Sequence, residues 1–247
     1  MTRPNMNYST RDADFLREFS QFTSHGPELM AELLFKTLVD DLLHKKYESV
    51  CHLQARMHLE MVMAMETAAA HLYSYSLWNS TDGILGTLLT YKSHKLKLFV
   101  DMILKEPEPI RILKFPKQSS LLHLATDAEG LKSLYNETVI ANGISQVCTM
   151  LRSEPITQSY NRIKHAGVYT RHTVFLNADV NKPETTNSFK ILHQVDDRIV
   201  NDSIPATGQD AMNLAQKYFN NIKAIMGRTR NLADFVAYAL DNKLMEV

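Results

Sequence analysis

The feature that most constrains the fold is a stretch from about Tyr47 to Trp78 that contains neither glycine nor proline. Glycine and proline are the residues that weaken a helix interior most, so their absence predicts one long α-helix. With a turn of about 100° per residue, the apolar side chains of this helix form one broad stripe. The stripe consists of Val50, Leu53, Met57, Met61, Ala64, Met65, Ala68 and Leu72. We expect it to pack against other helices as core.

Apolar residues at helical spacing predict further helices on both sides of this long one. They cover about Asp12–Phe22, Leu29–Leu43, Ile84–Leu104 and Asp127–Arg152, and a short helix follows from Ser153 to about Gly167. The fold class is therefore mainly α, a helical bundle with a long central helix.

The period of the pattern changes late in the chain. From about residue 172 apolar and polar residues alternate, which predicts a β-hairpin insertion over about 172–196. Helical spacing then returns and predicts C-terminal helices over about 208–241, with a break at Gly227. We predict a single domain over residues 1–247, in which the helical bundle covers about 12–167.

The overall charge is balanced, with 27 lysine and arginine residues against 27 aspartate and glutamate residues. The chain as a whole lacks the strong positive field that marks many nucleic-acid-binding proteins, so only a local basic group could supply one. Two groups are candidates: one is Lys92, Lys95 and Lys97, and the other is Arg152, Arg162, Lys164 and Arg171. Either group is also compatible with an ordinary solvated helix face.

Cysteine content and hydropathy indicate the compartment. Cys51 and Cys148 are too few and too far apart for a disulfide framework, a zinc site or a Cys-x-x-Cys redox pair, which indicates a reducing environment. The N-terminal residues contain no apolar run that could serve as a signal peptide, and no stretch of about 18 consecutive apolar residues occurs anywhere. We expect a cytoplasmic protein with no membrane contact.

The chain carries none of the common signatures of hydrolases, zincins or nucleotide-binding proteins. A ferritin-like di-metal site needs Glu-x-x-His on two helices, and that spacing does not occur. Glu48 and His52 form a same-face pair that could be half of a metal site or a hydrogen-bonded pair on a helix surface. Glu60 and His71 lie about 16 Å apart along the helix axis, so they cannot share one ion. We expect no metal and no cofactor.

One short segment, residues 160–167, combines a polar pair with several basic residues. It reads Tyr-Asn-Arg-Ile-Lys-His-Ala-Gly. On a helix, Asn161 and His165 are one turn apart and face the same way, which leaves a polar pair free to meet a partner. The imidazole of His165 can transfer protons, and Arg162, Lys164 and Arg171 can bind phosphate.

The Asn161-x-x-x-His165 spacing, in a helical chain, resembles the HEPN-like helical domains. The resemblance covers this motif and the overall helical architecture, and Tyr160 stands where the ribonucleases of that family have an arginine. The resemblance implies an RNA-directed protein, either a metal-independent ribonuclease with Asn161 and His165 as catalytic residues or an RNA-binding relative. It also implies a homodimer, because the site of such enzymes is commonly shared between two subunits.

Two other functions stay open. The chain could be a non-catalytic interaction or scaffold protein of a multi-component bacterial system, in which the methionine-rich long helix supplies the interface to a protein partner. It could also be a metal-dependent helical enzyme that uses Glu48, His52, Glu60 or Glu66. A structural role is open for the motif as well, because Asn161 and His165 could brace the junction between the short helix and the hairpin.

Overall fold

The computed structural model of the chain describes residues 8–115, 137–152, 169–175, 185–195, 198–205 and 207–244. Most of these residues are helical, which confirms the mainly α fold class. The helices are α1 (Tyr8–Gln21), α2 (Gly26–Leu43), α3 (Tyr47–Ser76), α4 (Gly83–Thr90), α5 (Ser93–Lys105), α6 (Pro109–Leu113), α7 (Glu137–Arg152) and α8 (Gly208–Asp241), with a 3₁₀ turn at Thr23–His25. The strands are β1 (Tyr169–Phe175), β2 (Thr185–Val195) and β3 (Arg198–Pro205).

The chain divides into two compact units, each built from separated segments. The first unit consists of Met1–Gly26, Met65–Arg152 and Ile225–Val247, and the second consists of Pro27–Ala64 and Ser153–Ala224. Helices α3 and α8 each contribute residues to both units. The single domain over residues 1–247 stays a prediction.

Helix α3 is the long helix that the sequence predicts, and its 30 residues include the whole apolar stripe. Every residue of the stripe is buried except Leu53, which is half-buried. Met57, Met61 and Met65 are therefore core residues, and on this stripe they are not available as an interface to a partner. Neither α3 nor any other helix in the described ranges is long and apolar enough to cross a membrane.

The prediction of a single helix over Ile84–Leu104 is wrong, because this region forms two helices. Helix α4 ends at Thr90 and α5 begins at Ser93. Tyr91 and Lys92 between them have extended backbones, with ψ of 149° and 139°. Apolar residues keep their helical spacing on both sides of the break, because α4 and α5 each bury one face. Periodicity alone therefore does not reveal that the helix ends at Thr90.

The break predicted at Gly227 is also wrong, because α8 is one continuous helix of 34 residues. A glycine in a helix interior costs about 1 kcal/mol relative to alanine. The neighbouring side chains of Ile225 and Met226 are buried, and burying one such side chain contributes about 1.5 to 3 kcal/mol. Packing of the two residues just before the glycine therefore outweighs its local preference.

The three strands form one antiparallel sheet in the order β1-β2-β3. Tyr169 of β1 lies opposite Ile191 of β2, and Val195 of β2 lies opposite Arg198 of β3. The sequence placed strands only within about 172–196, so β3 is an addition. The polar run Asn201, Asp202 and Ser203 interrupts the alternation in β3 that would otherwise have predicted a strand.

A buried aspartate closes the start of α4 in the first unit. The Asp12 carboxylate accepts the backbone N–H of Ile84 through Oδ2 at 2.6 Å and that of Leu85 through Oδ1 at 3.3 Å. Arg11 donates to the same carboxylate at 3.0 Å. Gly83 begins the helix at a φ of +65°, and a Cβ on this residue would collide with Asp12 Oδ2. The start of α4 is therefore filled by a group from α1.

Candidate functional site

Most of the residues that the sequence predicts as catalytic or phosphate-binding lie outside the described residues. They are Asn161, Arg162, Lys164 and His165. Arg171 lies in β1, where its backbone is opposite Phe189 of β2. Within the described ranges the structure brings none of these residues together, and their roles stay predictions.

An open pocket in the second unit groups basic side chains that the sequence analysis had not grouped. It lies where α2 ends and α3 begins, and its volume is about 920 Å³. We call it the α2–α3 pocket. Its lining residues are Leu34, Lys45, Lys46, Tyr47, Glu48, Ser49, His52, Leu53 and Arg56. Three of them are lysine or arginine and one is a histidine, against one lining carboxylate, while Asp41 and Glu60 outside the lining pair with two of the three basic side chains.

The turn between the two helices places Lys45 at the mouth of this pocket. Lys45 has a φ of 56°, the left-handed conformation that commonly ends a helix, and its N–H donates to the carbonyl of Leu42 at 3.1 Å. The N–H of Lys46 donates to the carbonyl of Asp41 at 2.9 Å. The Lys45 side chain is exposed, and within the described part of the chain no carboxylate pairs with it.

A buried carboxylate fixes the next lysine in the pocket wall. Lys46 Nζ donates to Asp41 Oδ1 at 3.1 Å, and the Ser49 hydroxyl donates to Asp41 Oδ2. The hydrogen bond from Ser49, and after it the one from Lys46, lowers the pKa of Asp41 below its ordinary value. Asp41 is therefore ionised at neutral pH and anchors Lys46 beside the first turn of α3.

Arg56 is anchored in the same way. Its guanidinium lies 2.6 Å from Glu60 Oε1 one turn along α3, and the carboxylate of Glu60 is buried. Glu48, His52, Arg56 and Glu60 follow one another at four-residue intervals, so they form one row on the helix. The last residue of the row, Glu60, forms an ion pair with Arg56.

The polar contacts beneath this row hold α3 against the first half of α8 in the second unit. Gln54 Nε2 donates to the carbonyl of Ala211 at 2.7 Å, and His58 Nδ1 shares a hydrogen bond of 3.2 Å with the Tyr218 hydroxyl. Burial lowers the pKa of His58 to about 4. His58 is therefore neutral at pH 7 and adds no positive charge to the pocket.

The metal alternative finds no support in this region. Glu48 and His52 both line the pocket, but Glu60 is engaged by Arg56. Across the residues that the structure describes, no group of three or more histidine, cysteine, aspartate or glutamate side chains could hold a metal ion. The side chains of the pocket instead suit an anionic ligand.

The two basic groups predicted from the sequence have different surroundings. Lys92, Lys95 and Lys97 are exposed at the beginning of α5. Arg152, the last residue of α7, pairs with Asp101 of α5 at 2.5 Å. The first group is therefore available to solvent, whereas Arg152 joins two helices of the first unit.

A sequence signal for the α2–α3 pocket exists, although it was missed. His44, Lys45 and Lys46 are adjacent at the end of a predicted helix, and His52 and Arg56 follow on one face of the next helix. Basic residues interleaved with an aromatic residue, here Tyr47, are typical of nucleic-acid-binding surfaces.

Comparison with known proteins gives no match: no family model fits the chain, and no curated protein or solved structure is significantly similar to it.

Proposed function

We propose that this protein is RNA-directed, similar in this respect to the HEPN-like domains, and that the α2–α3 pocket binds the phosphate backbone of RNA. The observation that carries the proposal is the grouping of Lys45, Lys46, His52 and Arg56 around one open pocket. Because the chain has no net charge, such a local grouping is what distinguishes an anion-binding surface from the rest of the molecule.

The anchoring of two of the cations supports this role. Lysine and arginine lose rotamer freedom when they bind a phosphate, and Asp41 and Glu60 already restrict Lys46 and Arg56 in the free protein. Lys45 adds a charge that no described carboxylate neutralises. Contacts of this kind release counterions from the nucleic acid, so binding should weaken as the salt concentration rises.

The shape of the pocket and one aromatic side chain favour a single strand over a small anion. The pocket is open to solvent, whereas small-molecule sites enclose most of their ligand, so its shape favours an extended polymer lying across it. Tyr47 lines the pocket and is half-buried, which leaves part of its surface for a base to stack on.

The binding test compares two lysines that differ only in location. Lys45 and Lys243 are both exposed, both follow a helix end, and have φ values of 56° and 55°. Asparagine tolerates this left-handed conformation, so Lys45→Asn and Lys243→Asn remove one charge each with little strain. We expect Lys45→Asn to weaken binding of a labelled single-stranded RNA, measured by fluorescence anisotropy, by about three- to tenfold and to reduce the salt slope by about 0.7.

Lys243→Asn serves as the control and should bind within about twofold of the wild type. Equal binding by the wild type and both variants would contradict the assignment of the pocket, and so would equal loss in both variants. Absence of RNA binding by the wild type would overturn the proposed function itself.

Cleavage belongs to a separate part of the same proposal. His165 would transfer the proton of the attacking 2′-hydroxyl, with Asn161 beside it and Arg162, Lys164 and Arg171 as phosphate contacts. The test is cleavage of a mixed RNA pool in EDTA by the wild type and by His165→Ala. Cleavage that is lost in the variant supports a metal-independent ribonuclease, whereas binding without cleavage in the wild type identifies an RNA-binding relative.

The resemblance to HEPN-like domains also implies a homodimer, and we include it in the proposal. Sedimentation equilibrium of the purified chain tests it directly. A monomer at all concentrations would exclude a site shared between two subunits and leave the α2–α3 pocket to act alone.

A further inference from the structure

We infer that the exposed face of α5 is a docking surface for an acidic amphipathic helix of a partner protein. The inference goes beyond RNA binding and concerns a different unit of the molecule. It starts from four residues, Lys95, Leu98, Met102 and Lys105, which we call the α5 outer row.

The α5 outer row is a short apolar stripe framed by two cations. Leu98 is 66% exposed and Met102 is 48% exposed, although both are large apolar side chains. They are one helical turn apart, and Lys95 and Lys105 precede and follow them within the same arc of the helix surface. The row is about 15 Å long, which is the length of about three helical turns of a partner.

Apart from Lys97 and Leu104, which are also exposed, the described side chains in the middle of α5 have partners within the first unit. The opposite face, with Leu96, Phe99, Val100 and Ile103, is buried. Asp101 on the flank is paired with Arg152. In contrast, no ion pair within the described ranges involves Lys95 or Lys105. The outer row therefore presents apolar contact area and two uncompensated charges of one sign.

The charge and the residue types of the α5 outer row together favour an acidic amphipathic helix as its partner. Leucine and methionine one turn apart are the anchors that an amphipathic helix uses when it packs on another helix, and carboxylates on its rim would pair with Lys95 and Lys105. A second copy of α5 would bring lysine against lysine, which is unfavourable. Single-stranded RNA is bound by cations together with aromatic rings on which bases stack, and Phe99, the one Phe, Tyr or Trp residue of α5, is buried.

A membrane surface is a poorer fit than a helix. An interfacial helix inserts a broad apolar face, but the broad apolar face of α5 is buried in the first unit and only two aliphatic side chains of the row remain outside. A contact of this size corresponds to a weak, transient complex.

The probe is a labelled amphipathic helical peptide whose apolar face is leucine and whose charged residues are all glutamate. We expect it to bind the full-length chain, measured by fluorescence anisotropy, and to bind Leu98→Ala/Met102→Ala about tenfold more weakly. Leu89→Ala is the matched control, because Leu89 is 78% exposed on α4, and it should bind like the wild type. Lys95→Glu/Lys105→Glu should lose the glutamate peptide and gain a peptide in which lysine replaces glutamate.

Absence of peptide binding by the wild type would overturn the inference, and so would equal binding by Leu98→Ala/Met102→Ala and the wild type. Binding to phosphatidylserine vesicles that is lost in Leu98→Ala/Met102→Ala, without peptide binding, would assign the row to a membrane instead. RNA binding measured on the same samples keeps the two proposals apart, because Lys45→Asn should affect only RNA and the α5 variants only the peptide.

Discussion

A buried aspartate lies beside the start of α4 in the first unit and beside the start of α3 in the second, but the two carboxylates have different partners. Asp12 accepts the backbone N–H groups of α4 directly and so takes the place that an anion could occupy at a helix start. Asp41 accepts side-chain donors from Ser49 and Lys46 instead. Asp12 therefore closes the start of α4. The start of α3 instead lines the α2–α3 pocket, and Asp41 fixes Lys46 beside it.

Helix α3 carries a second contrast between the units, in its two buried histidines. In the second unit, His58 shares a hydrogen bond with Tyr218. In the first unit, His71 contacts Phe19 with ring centroids 4.1 Å apart and ring planes tilted by 34°, and its Nδ1 donates to the carbonyl of Thr67 at 2.9 Å. No described residue bonds to its Nε2. Both imidazoles are buried, but only His58 has a side-chain hydrogen-bond partner among the described residues.

The largest expected effect is on stability in acid, and it tests whether the two histidines behave alike. Burial lowers the pKa of both His58 and His71 to about 4 from the ordinary 6.5. The unfolded chain therefore takes up these protons first as the pH falls. The contribution of these two histidines to the free energy of unfolding should be constant above pH 6.5 and decrease between pH 6.5 and 4, by roughly 3 kcal/mol for each histidine.

Urea unfolding at a series of pH values measures this decrease. His71→Phe preserves the ring and should remove roughly half of the decrease, as should His58→Phe. His44→Ala, at an exposed position, should leave it unchanged. An unaltered pH profile in His71→Phe would show that the imidazole without a partner for Nε2 is not held neutral, and that the two histidines do not behave alike.

The next effect separates backbone strain from the contact that closes α4. Gly83 and Gly208 both begin a helix and both have a φ of +65°, but only a Cβ at position 83 would meet Asp12. Gly208→Ala should cost about 1 kcal/mol for the left-handed backbone alone. Gly83→Ala should cost about 3 kcal/mol, because the collision is added to the strain. Equal losses in thermal unfolding of the two variants would mean that Asp12 does not press on the start of α4.

A somewhat smaller loss is expected when the closing carboxylate itself is removed. Asp12→Ala leaves the N–H groups of Ile84 and Leu85 without their acceptor in a buried place, which should cost about 2 kcal/mol. Asp14→Ala, two residues away on the exposed face of α1, should change stability by less than about 0.5 kcal/mol. RNA affinity should be the same in both variants. A change in RNA affinity in Asp12→Ala would indicate that the start of α4 also contacts the ligand.

The helices and their boundaries show which parts of the fold the sequence could and could not predict. The helices and the buried stripe of α3 follow from spacing and from the absence of glycine and proline, which are local properties. The break at Tyr91 and the continuity of α8 through Gly227 depend on which neighbours each helix packs against. Spacing along the chain contains no information about that packing.

The candidate site was predictable only in part. The basic run at Lys45 and Lys46 is visible in the sequence, and helical spacing places His52 and Arg56 on one face of α3. The left-handed turn at Lys45 and the burial of the carboxylates of Asp41 and Glu60, which pair with Lys46 and Arg56, are not visible in this spacing. The predicted motif at Asn161 and His165 lies outside the described residues, so its chemistry stays a prediction.

The smallest expected effect is the one that distinguishes the two aspartates by function. Asp41→Asn removes the carboxylate that offsets the charge of Lys46, so the lysine neutralises more of a phosphate's charge than in the wild type, but it also frees the lysine side chain, which must then be ordered on binding. These effects oppose each other in RNA affinity at a single salt concentration, where we expect less than about a threefold change.

The two effects of Asp41→Asn do not oppose each other in the salt dependence of RNA binding, because the number of released counterions is set by charge and not by side-chain order. The slope of log K against log salt should therefore become steeper by up to about 0.7 in Asp41→Asn and stay the same in Asp12→Asn. A steeper slope in both variants, or in neither, would mean that the carboxylate beside α3 has no special relation to the RNA, and the difference between a closed and an open helix start would then be only structural.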